Sequence, residues 1–284
     1  HKPDRRQRQM CIRDRHIKSR LSPHSSALLQ DLLLAFSVDS TNTAMMQRVE
    51  MKDALSGSVM FAEQQTAGRG RRGRSWVSPL GRNIYCSIVW RFATGAAALS
   101  GLSLAVGVAS VKALESLGYQ GVELKWPNDL LWQGRKLGGI LLEMSGDAAG
   151  PCHVVVGIGL NLTMSEIVNQ PSGKSDMTSD ISQDWVDLRE IGKFQVVDKN
   201  GVAAALLNQL LPMLDEFESL GFSYYLPQWQ ARDAFIDRDV EIHLSDEQVI
   251  SGCYKGVAAD GGLIVQTREG EQCLHGGEIS LRAS

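Results

Sequence analysis

The sequence predicts a mixed α and β fold, in which a large domain is followed by a small domain built from β-strands. The chain has 284 residues, enough for one large domain and a smaller one. Helix and strand patterns are interspersed up to about residue 232. After Asp233 the pattern changes to about five short alternating strands in roughly fifty residues, as in a small barrel. We therefore expect domains at residues 21–232 and 233–284, preceded by an atypical segment, residues 1–20.

Helix signals occur at several points in the large domain. In the polar turn DSTN, either Asp39 or Ser40 can cap the start of a helix. Apolar residues recur every three or four positions over 102–117, and a glycine follows that can end the helix. A further helix is predicted over 203–221, whereas 26–36 can form either a short helix or a strand.

The strands of the large domain are predicted from short apolar runs, some of which alternate between two faces. The short connection Gly134-Arg135 predicts a hairpin, which would bring Asp129 and Lys136 close together. The stretch 163–184 is rich in Ser, Asp and Asn and predicts a long surface loop. The predicted strands are 58–64, 83–91, 122–126, 129–133, 136–144 and 152–162.

Composition narrows the class of protein. Hydrophobic residues make up 43% and charged residues 21%, as in a soluble globular protein, and no apolar run approaches the roughly 18 residues of a membrane span. The five cysteines are scattered, without a C-x-x-C pair, which indicates neither a disulfide framework nor a zinc site and favours a reducing cytoplasm. The six histidines show no metal-ligand spacing, so His153, His243 and His275 are expected to be structural or surface residues.

Charge is distributed unevenly along the chain. Residues 1–20 contain eight of the 29 basic residues and two of the 32 acidic ones, so the remainder has 21 basic against 30 acidic residues, a net charge of about −9. A body of that charge repels a nucleic-acid backbone outside a local patch, which argues against nucleic acid as a partner. The first 20 residues lack apolar periodicity and are expected to be disordered or foreign to the natural protein.

The loop GRGRRGR, Gly68–Arg74, contains four arginines and three glycines. It satisfies the G-x-G-x-x-G spacing of a dinucleotide fingerprint, but the segment SWVSPLG that follows is poorly suited to the helix that this fingerprint requires. Three interpretations of the heptad remain open: an exposed solvated loop, a loop that binds a small anion, and a nucleic-acid contact.

Two further segments combine charge with tight turns. KWPND, Lys125–Asp129, places a cation, an aromatic ring, a proline and two turn-forming residues at the end of a strand. KLGGILLE, Lys136–Glu143, begins with a lysine and carries a glycine pair within an apolar strand. Asn128-Asp129 can be a simple turn and Gly138-Gly139 a β-bulge, but paired glycines in a buried strand also let a ligand approach the backbone.

Together these segments resemble the biotin protein ligases. The resemblance covers almost the whole chain, and although single motifs are weak, six in family order are specific. It implies a class II synthetase-like catalytic domain, with a mixed, largely antiparallel sheet packed by helices, and a small C-terminal SH3-like β-barrel. The motifs are DSTN at 39–42, QTAGRGRRGRSW at 65–76, KWPNDLL at 125–131, KLGGILLE at 136–143, VVGIGLNL at 155–162 and GGEISLR at 276–282.

The resemblance implies a reaction in two steps. The biotin carboxylate attacks the α-phosphate of ATP, which releases pyrophosphate and leaves biotinyl-5′-AMP. A lysine of the biotin carboxyl carrier protein of acetyl-CoA carboxylase then attacks that mixed anhydride. Biotin and ATP would be the substrates and Mg²⁺ the metal, in the cytoplasm, and the family also suggests a homodimer.

Site residues follow from the resemblance, position by position. Lys136 would bridge the biotin carboxylate and the α-phosphate, Arg71 would add positive charge, and Asp129 would either hold magnesium or help deprotonate the incoming lysine. The loop Gly68–Arg72 would order over the ligand, and Trp76 would pack against the adenine. Predicted biotin contacts are Ser40, Thr41, Asn42, Gln65, Thr66, Gly68, Arg69, Gly70, Arg71, Arg72, Lys136 and Gly139. Predicted nucleotide contacts are Arg71, Trp76, Lys125, Asn128, Lys136 and Asn161.

Two other functions compete with this hypothesis. A lipoate ligase shares the superfamily fold and the adenylation chemistry, but the GRGRRGR loop and the small β domain favour biotin. Some members of the family also carry an N-terminal winged helix-turn-helix and repress transcription. Residues 1–20 do not resemble that domain, so the chain as given is expected to act as a ligase alone, with the repressor function undetermined.

Overall fold

The structure, a computed structural model of the chain, describes residues 11–147, 150–168, 183–244 and 248–281. Within these ranges the helices are Asp14–Lys18 (α1), Pro23–Leu28 (α2), Thr41–Glu50 (α3), Leu102–Ser116 (α4), Ser165–Val168 (α5), Leu188–Ile191 (α6) and Lys199–Gln230 (α7). The strands are Asp31–Ala35 (β1), Ser58–Ala62 (β2), Asn83–Phe92 (β3), Val122–Lys125 (β4), Asp129–Trp132 (β5), Arg135–Gly146 (β6), Cys152–Asn161 (β7), Asp239–His243 (β8), Val249–Val257 (β9), Leu263–Thr267 (β10), Gly270–Leu274 (β11) and Glu278–Leu281 (β12).

A mixed sheet of seven strands organises the first part of the chain, in the order β1-β2-β3-β7-β6-β5-β4. Strands β1 and β2 run parallel, and the other neighbours pair antiparallel. A second sheet of five antiparallel strands follows, in the order β11-β10-β9-β8-β12. The predicted fold class, a largely antiparallel mixed sheet with helices and a small C-terminal β unit, is confirmed.

Helices cover both faces of the large sheet. Alternate residues of β2 belong to two separate hydrophobic clusters, because successive side chains of a strand point to opposite faces. Val59 and Phe61 belong to the larger cluster, which contains the apolar residues of α4 and α7. Met60 belongs to a smaller cluster with Met45 of α3. Helix α3, which begins within the DSTN motif, is thereby fixed on one face of the sheet.

The long helix α7 extends beyond its predicted end. The sequence predicts a stop at Gly221, and this is wrong: the chain kinks there, with φ 62° and ψ 179°, and continues as helix to Gln230. The second half adds buried Phe222, Tyr225 and Trp229 to the core, so apolar burial outweighs the helix-breaking tendency of the glycine.

The helical stretch Ala96–Ser116, which includes α4, is long and apolar enough to cross a membrane by length and composition, contrary to the expectation that no run approaches that length. However, 67% of its most apolar window is buried inside the protein. Helix α4 packs against α7 and the strands β4 to β6, as a core helix does.

Residues 11–20 differ from the expectation of a disordered segment. Ile12 and Ile17 are 1% and 0% exposed, and helix α1 packs against α7. The backbone N–H of Ile12 donates to the buried carboxylate of Glu63 at 2.7 Å, and Lys199 pairs with the other oxygen of that carboxylate at 2.7 Å. The expectation for residues 1–10 lies outside the described residues.

The predicted surface loop 163–184 is described only in part. Residues Ser165–Val168 form the short helix α5, and 169–182 lie outside the described ranges. Glu166 of this helix pairs with both Arg82 and Arg189, so the described start of the segment is held against the rest of the domain.

Candidate active site

The sequence motifs meet at one cleft, which opens to solvent. Its sides are the start of α3, the loop GRGRRGR, the KWPND turn, the middle of β6 and β7, and one residue of β12, Ile279. Thr66, Gly68, Arg72 and Asn161 lie outside this lining, although all are described. The lining includes the predicted site residues Ser40, Thr41, Asn42, Gln65, Arg69, Gly70, Arg71, Trp76, Lys125, Asn128, Asp129, Lys136 and Gly139.

The start of α3 presents buried polar groups to the cleft. Ser40 is the N-cap, and its hydroxyl accepts a hydrogen bond from the N–H of Thr43 at 3.4 Å. The side-chain oxygen of Gln65 accepts from the backbone N–H of Thr41 at 2.8 Å. Ser40, Thr41 and Asn42 are 3%, 4% and 3% exposed, so this wall holds hydroxyl and amide groups in fixed positions, as recognition of a polar ring requires.

Two residues that the sequence analysis missed orient Asn42. The Ser87 hydroxyl donates to Asn42 Oδ1 at 2.6 Å, and Asn42 Nδ2 donates to Glu143 at 3.0 Å. Ser87 is the one serine in the buried strand β3, and Glu143 is an acidic residue in the apolar strand β6. A polar residue inside an apolar strand was the available signal. A Cβ at Gly157 would come within 2.2 Å of Asn42 Oδ1, so glycine there leaves room for this side chain.

Lys136 and Asp129 form an ion pair across the hairpin of β5 and β6. Lys136 Nζ lies 2.8 Å from Asp129 Oδ1, which confirms the predicted proximity. The two-residue turn is Gln133-Gly134, one position earlier than predicted, with φ of 50° and 76°, the positive values typical of tight hairpins. The side chains are 23% and 12% exposed, so the pair is mostly screened from water while still lining the cleft.

Trp76 lies on a surface made by two glycines. A Cβ at Gly159 would come within 2.6 Å of the Trp76 ring, and one at Gly139 within 3.3 Å. Lys136 Nζ lies 5.6 Å from the centre of the same ring, within the range of a cation–π contact. The indole N–H is buried and has no hydrogen-bond partner among the described residues.

The arginines of the loop have different partners. Arg69 donates to both oxygens of Glu143, at 2.7 and 2.6 Å, whereas Arg71 lies 3.4 Å from the side-chain oxygen of Asn128. Arg72 is exposed, has φ 55°, and donates to the carbonyl of His243 in β8. The loop therefore contacts β6, the KWPND turn and the small β domain.

The predicted nucleotide contacts fall into two groups. Asn128 donates to the carbonyl of Ile140 at 2.7 Å, and Lys125 Nζ lies 5.6 Å from the centre of the Phe235 ring; both line the cleft. Asn161, by contrast, is 5% exposed and donates to the backbone carbonyls of Lys136 and Val186. Its described contacts fix the backbone at Lys136, and its predicted contact with the nucleotide stays a prediction.

Cations outnumber carboxylates in the described lining of the cleft. Asp129 is the one carboxylate there, against the cations Arg69, Arg71, Arg74, Lys125 and Lys136. A concave surface with this charge attracts anions. Of the three interpretations of GRGRRGR, this arrangement supports the loop that binds a small anion.

Known proteins share these motifs. The Biotin/lipoate A/B protein ligase family matches residues 34–161, and the Biotin protein ligase C terminal domain matches residues 235–282. The Bifunctional ligase/repressor BirA of Escherichia coli is 39% identical over 248 residues, which are 87% of this chain and 73% of that protein. This chain belongs to the biotin protein ligase family.

Other members of the biotin protein ligase family match over similar lengths. The Biotin--[acetyl-CoA-carboxylase] ligase of Paracoccus denitrificans is 32% identical, over 85% of this chain and 96% of that protein. The solved structure of biotin protein ligase from Aquifex aeolicus in complex with biotin and ATP is similar with a TM-score of 0.72 at 28% identity, over 90% of this chain and all of that one. The family predicted from six motifs is confirmed.

Proposed function

We propose that this chain is an ATP-dependent biotin protein ligase. It forms biotinyl-5′-AMP from biotin and ATP, and then transfers biotin to a lysine of the biotin carboxyl carrier protein of acetyl-CoA carboxylase. The observation that carries the proposal is the Lys136–Asp129 pair inside a cationic cleft, in a member of the biotin protein ligase family. Relatives from Paracoccus denitrificans and Mycobacterium tuberculosis are both named biotin--[acetyl-CoA-carboxylase] ligases, which supports this carrier protein as the acceptor of biotin.

The wall at the start of α3 is the proposed site of the biotin ring. Ser40, Thr41, Asn42 and Gln65 offer hydroxyl and amide groups, which can donate to and accept from a ureido group. Their mutual hydrogen bonds and the support from Ser87 hold them in place before the ligand arrives. Such preorganisation reduces the entropy lost on binding.

Lys136 is the proposed catalytic cation for adenylation. As the biotin carboxylate attacks the α-phosphate, negative charge builds up on the phosphate oxygens. A fixed ammonium group in a partly dry site stabilises that charge more than water does. Arg71 and Arg69 are proposed to donate further hydrogen bonds to these anionic groups. Arg69 would leave the carboxylate of Glu143, to which it donates in this structure, and donate to the ligand instead. Trp76, Lys125 and Asn128 are proposed to contact the nucleotide.

Asp129 has two proposed roles. As the one carboxylate of the described cleft lining, it is suited to accept a proton from the incoming carrier lysine. It also fits Mg²⁺, which proteins commonly hold with one or two carboxylates together with substrate phosphates. When bound, the ion would neutralise phosphate charge at Asp129, next to Lys136.

The loop GRGRRGR is the proposed cover over the adenylate. The N–H of Gly70 donates to the carbonyl of Arg74 at 2.7 Å, which folds the loop into a tight turn at the mouth of the cleft. Arg71→Gly should accelerate release of biotinyl-5′-AMP by removing a cation that holds it. Arg71→Ala, which removes the same charge without the added backbone freedom of glycine, is the control. Acceleration in Arg71→Gly but not in Arg71→Ala would assign the effect to flexibility instead of the Arg71 charge.

Ligation is the function that both kinds of relative share. Proteins named as ligases alone match 85% of this chain and those named ligase and repressor match 87%, so the proposal is limited to ligation. The match of residues 235–282 to a domain of biotin protein ligases supports biotin over lipoate. A cytoplasmic location, consistent with free cysteines, and a homodimer remain part of the proposal.

The test is incubation of the protein with biotin, ATP, Mg²⁺ and a carrier-protein fragment, followed by mass measurement of the carrier. We expect an increase equal to one biotinyl group, dependent on ATP and on the carrier lysine. Lipoate in place of biotin should give no increase. Transfer of lipoate at a comparable rate, or no transfer of biotin, would contradict the proposal.

A further inference from the structure

Three exposed side chains that can bind a metal converge outside the cleft, in the small β domain. Asp260 lies in the turn between β9 and β10, Cys273 lies in β11, and His275 follows that strand. Cys273 Sγ is 4.0 Å from His275 Nε2, which is 3.7 Å from a carboxylate oxygen of Asp260. All three ligand atoms lie within 4.8 Å of one another.

The strand register explains why these residues meet. Cys273 lies in β11, and His275 lies at the bend directly after that strand, which brings the two side chains together. Strand β11 pairs with β10, with Ile264 opposite Cys273, which places the turn that precedes β10 beside them. The N–H of Gly262 donates to Asp260 Oδ1 at 3.0 Å and orients the carboxylate toward the other two side chains.

Gly262 leaves the space in which the three side chains meet. A Cβ at this position would lie 2.5 Å from Cys273 Sγ, 2.8 Å from His275 Cε1 and 3.2 Å from Asp260 Oδ1. The φ of Gly262 lies outside the left-handed region, unlike that of Gly261, so the backbone conformation does not itself call for glycine. The requirement is for space, at the point where three potential ligands converge.

We propose that Asp260, Cys273 and His275 form a zinc-binding site. Thiolate, imidazole and carboxylate are the ligands that Zn²⁺ prefers, and metal–ligand distances of about 2.0–2.3 Å in a tetrahedron place ligand atoms roughly 3.3–3.6 Å apart. The separations of 4.0 and 3.7 Å need to contract by a few tenths of an ångström, and that between Cys273 and Asp260, which is within 4.8 Å, by up to about 1 Å. Thiolate and carboxylate together balance the charge of the ion, and water takes the fourth position because the three residues are exposed.

The proposed zinc would brace the contact between the small β domain and the cleft. The carbonyl of Asp260 accepts from the Ser100 hydroxyl, and the carbonyl of Gly261 accepts from the indole N–H of Trp126 at 3.1 Å. Trp126 belongs to the KWPND motif and lines the cleft. An ion on Asp260 therefore restrains the turn on which this part of the cleft rests.

The sequence alone did not indicate this site, because the ligands do not follow a zinc-finger spacing. C-x-H is too short a pattern to be diagnostic, and the third ligand is 13 positions upstream of Cys273. Only the pairing of β10 with β11 brings Asp260 to them.

The test uses the full chain after treatment with a chelator, titrated with Zn²⁺ and separately with Co²⁺ as a spectroscopic probe. We expect one Zn²⁺ per chain and a thiolate-to-cobalt charge-transfer band. Cys273→Ser should abolish the band and weaken zinc affinity at least tenfold, the scale on which metal sites respond to the loss of supporting residues. Cys11→Ser, which alters another exposed free cysteine, is the matched control and should change neither.

A second pair of variants tests the geometry. His275→Ala should weaken zinc affinity, whereas His24→Ala should not. Gly262→Ala keeps all three ligands and fills their common space, so it should also weaken zinc affinity, with circular dichroism used to verify folding. In the wild type, added zinc should raise Tm, and in Cys273→Ser it should not. Zinc affinity unchanged in Cys273→Ser and His275→Ala, or a cobalt spectrum without a thiolate band, would overturn the proposal.

Discussion

Replacing Gly159 by alanine should impair adenylation without unfolding the protein. Gly159 lies near the end of β7, and the new Cβ would lie 2.6 Å from Cε2 and 2.7 Å from Cζ2 of Trp76. Carbon atoms in contact lie about 3.5–4.0 Å apart. The Trp76 ring must therefore withdraw from the floor of the cleft by about 1 Å.

The two consequences of this withdrawal differ in size. Overpacking costs about 1–3 kcal/mol of stability, and since Trp76 is only partly buried and sits at the end of a loop, we expect the low end of that range. A displacement of about 1 Å in an active site can reduce the rate by roughly 100-fold. Trp76 also lies beside Lys136. We therefore expect kcat/KM for ATP to fall by about 100-fold, with a loss of stability of about 1 kcal/mol.

Biotin-dependent ATP–pyrophosphate exchange measures the rate, and urea unfolding measures the stability. Gly276→Ala is the control, because a Cβ at Gly276 meets nothing within 4 Å. In a Trp76→Ala background, Gly159→Ala should have little further effect on exchange, since the clash has been removed. Exchange in Gly159→Ala within about twofold of the wild type would refute the assigned role of the Trp76 position.

Three further outcomes are expected. Lys136→Ala should raise the activation free energy of adenylation by about 3 kcal/mol, as the loss of one transition-state donor does. Undiminished biotin-dependent pyrophosphate exchange would refute the assignment. Ser87→Ala should raise KM for biotin about tenfold and leave KM for ATP unchanged, because Asn42 loses a buried donor whose absence costs about 1–3 kcal/mol; equal changes in both KM values would contradict this. Burial raises the pKa of Asp198, but the Gly201 N–H and the Arg20 guanidinium outweigh it, so the pKa of this carboxyl lies below its usual value. Asp198 therefore stabilises the fold above about pH 4 and loses this effect as the pH falls. Asp198 is the N-cap of α7. Asp198→Ala should therefore lower the free energy of unfolding, measured with urea, by about 1 kcal/mol at pH 7 and by less at pH 3. A loss of stability independent of pH would contradict the assignment.

The sequence predicted those features that local patterns encode. Ser40, one of the two predicted candidates, caps α3, and the hairpin brings Asp129 to Lys136. In both cases the residues that determine the geometry are near each other in the chain, where capping and turn preferences act.

Features that depend on distant pairing were not predicted. Ser87 and Asn42 are far apart in sequence and meet only because β3 runs beneath α3. The backbone N–H of Ile12 donates to the carboxylate of Glu63, which is 51 residues away. Helix α7 continues beyond Gly221 because the residues that follow contribute to the hydrophobic core. Tertiary contacts overrode local preference at each of these points.

The length of the β5–β6 turn has a consequence for how this enzyme can change. Successive side chains of a strand point to opposite faces, so a change of turn length at Gln133-Gly134 that shifted the pairing of β5 with β6 by one residue would turn every side chain of one strand over. Lys136 would then face away from Asp129 and the cleft, although no functional residue had been replaced. Activity in this family member therefore depends on the number of residues in the β5–β6 turn as well as on the identity of Lys136. A comparison of sequences by residue identity alone would overlook an insertion that inactivates the protein.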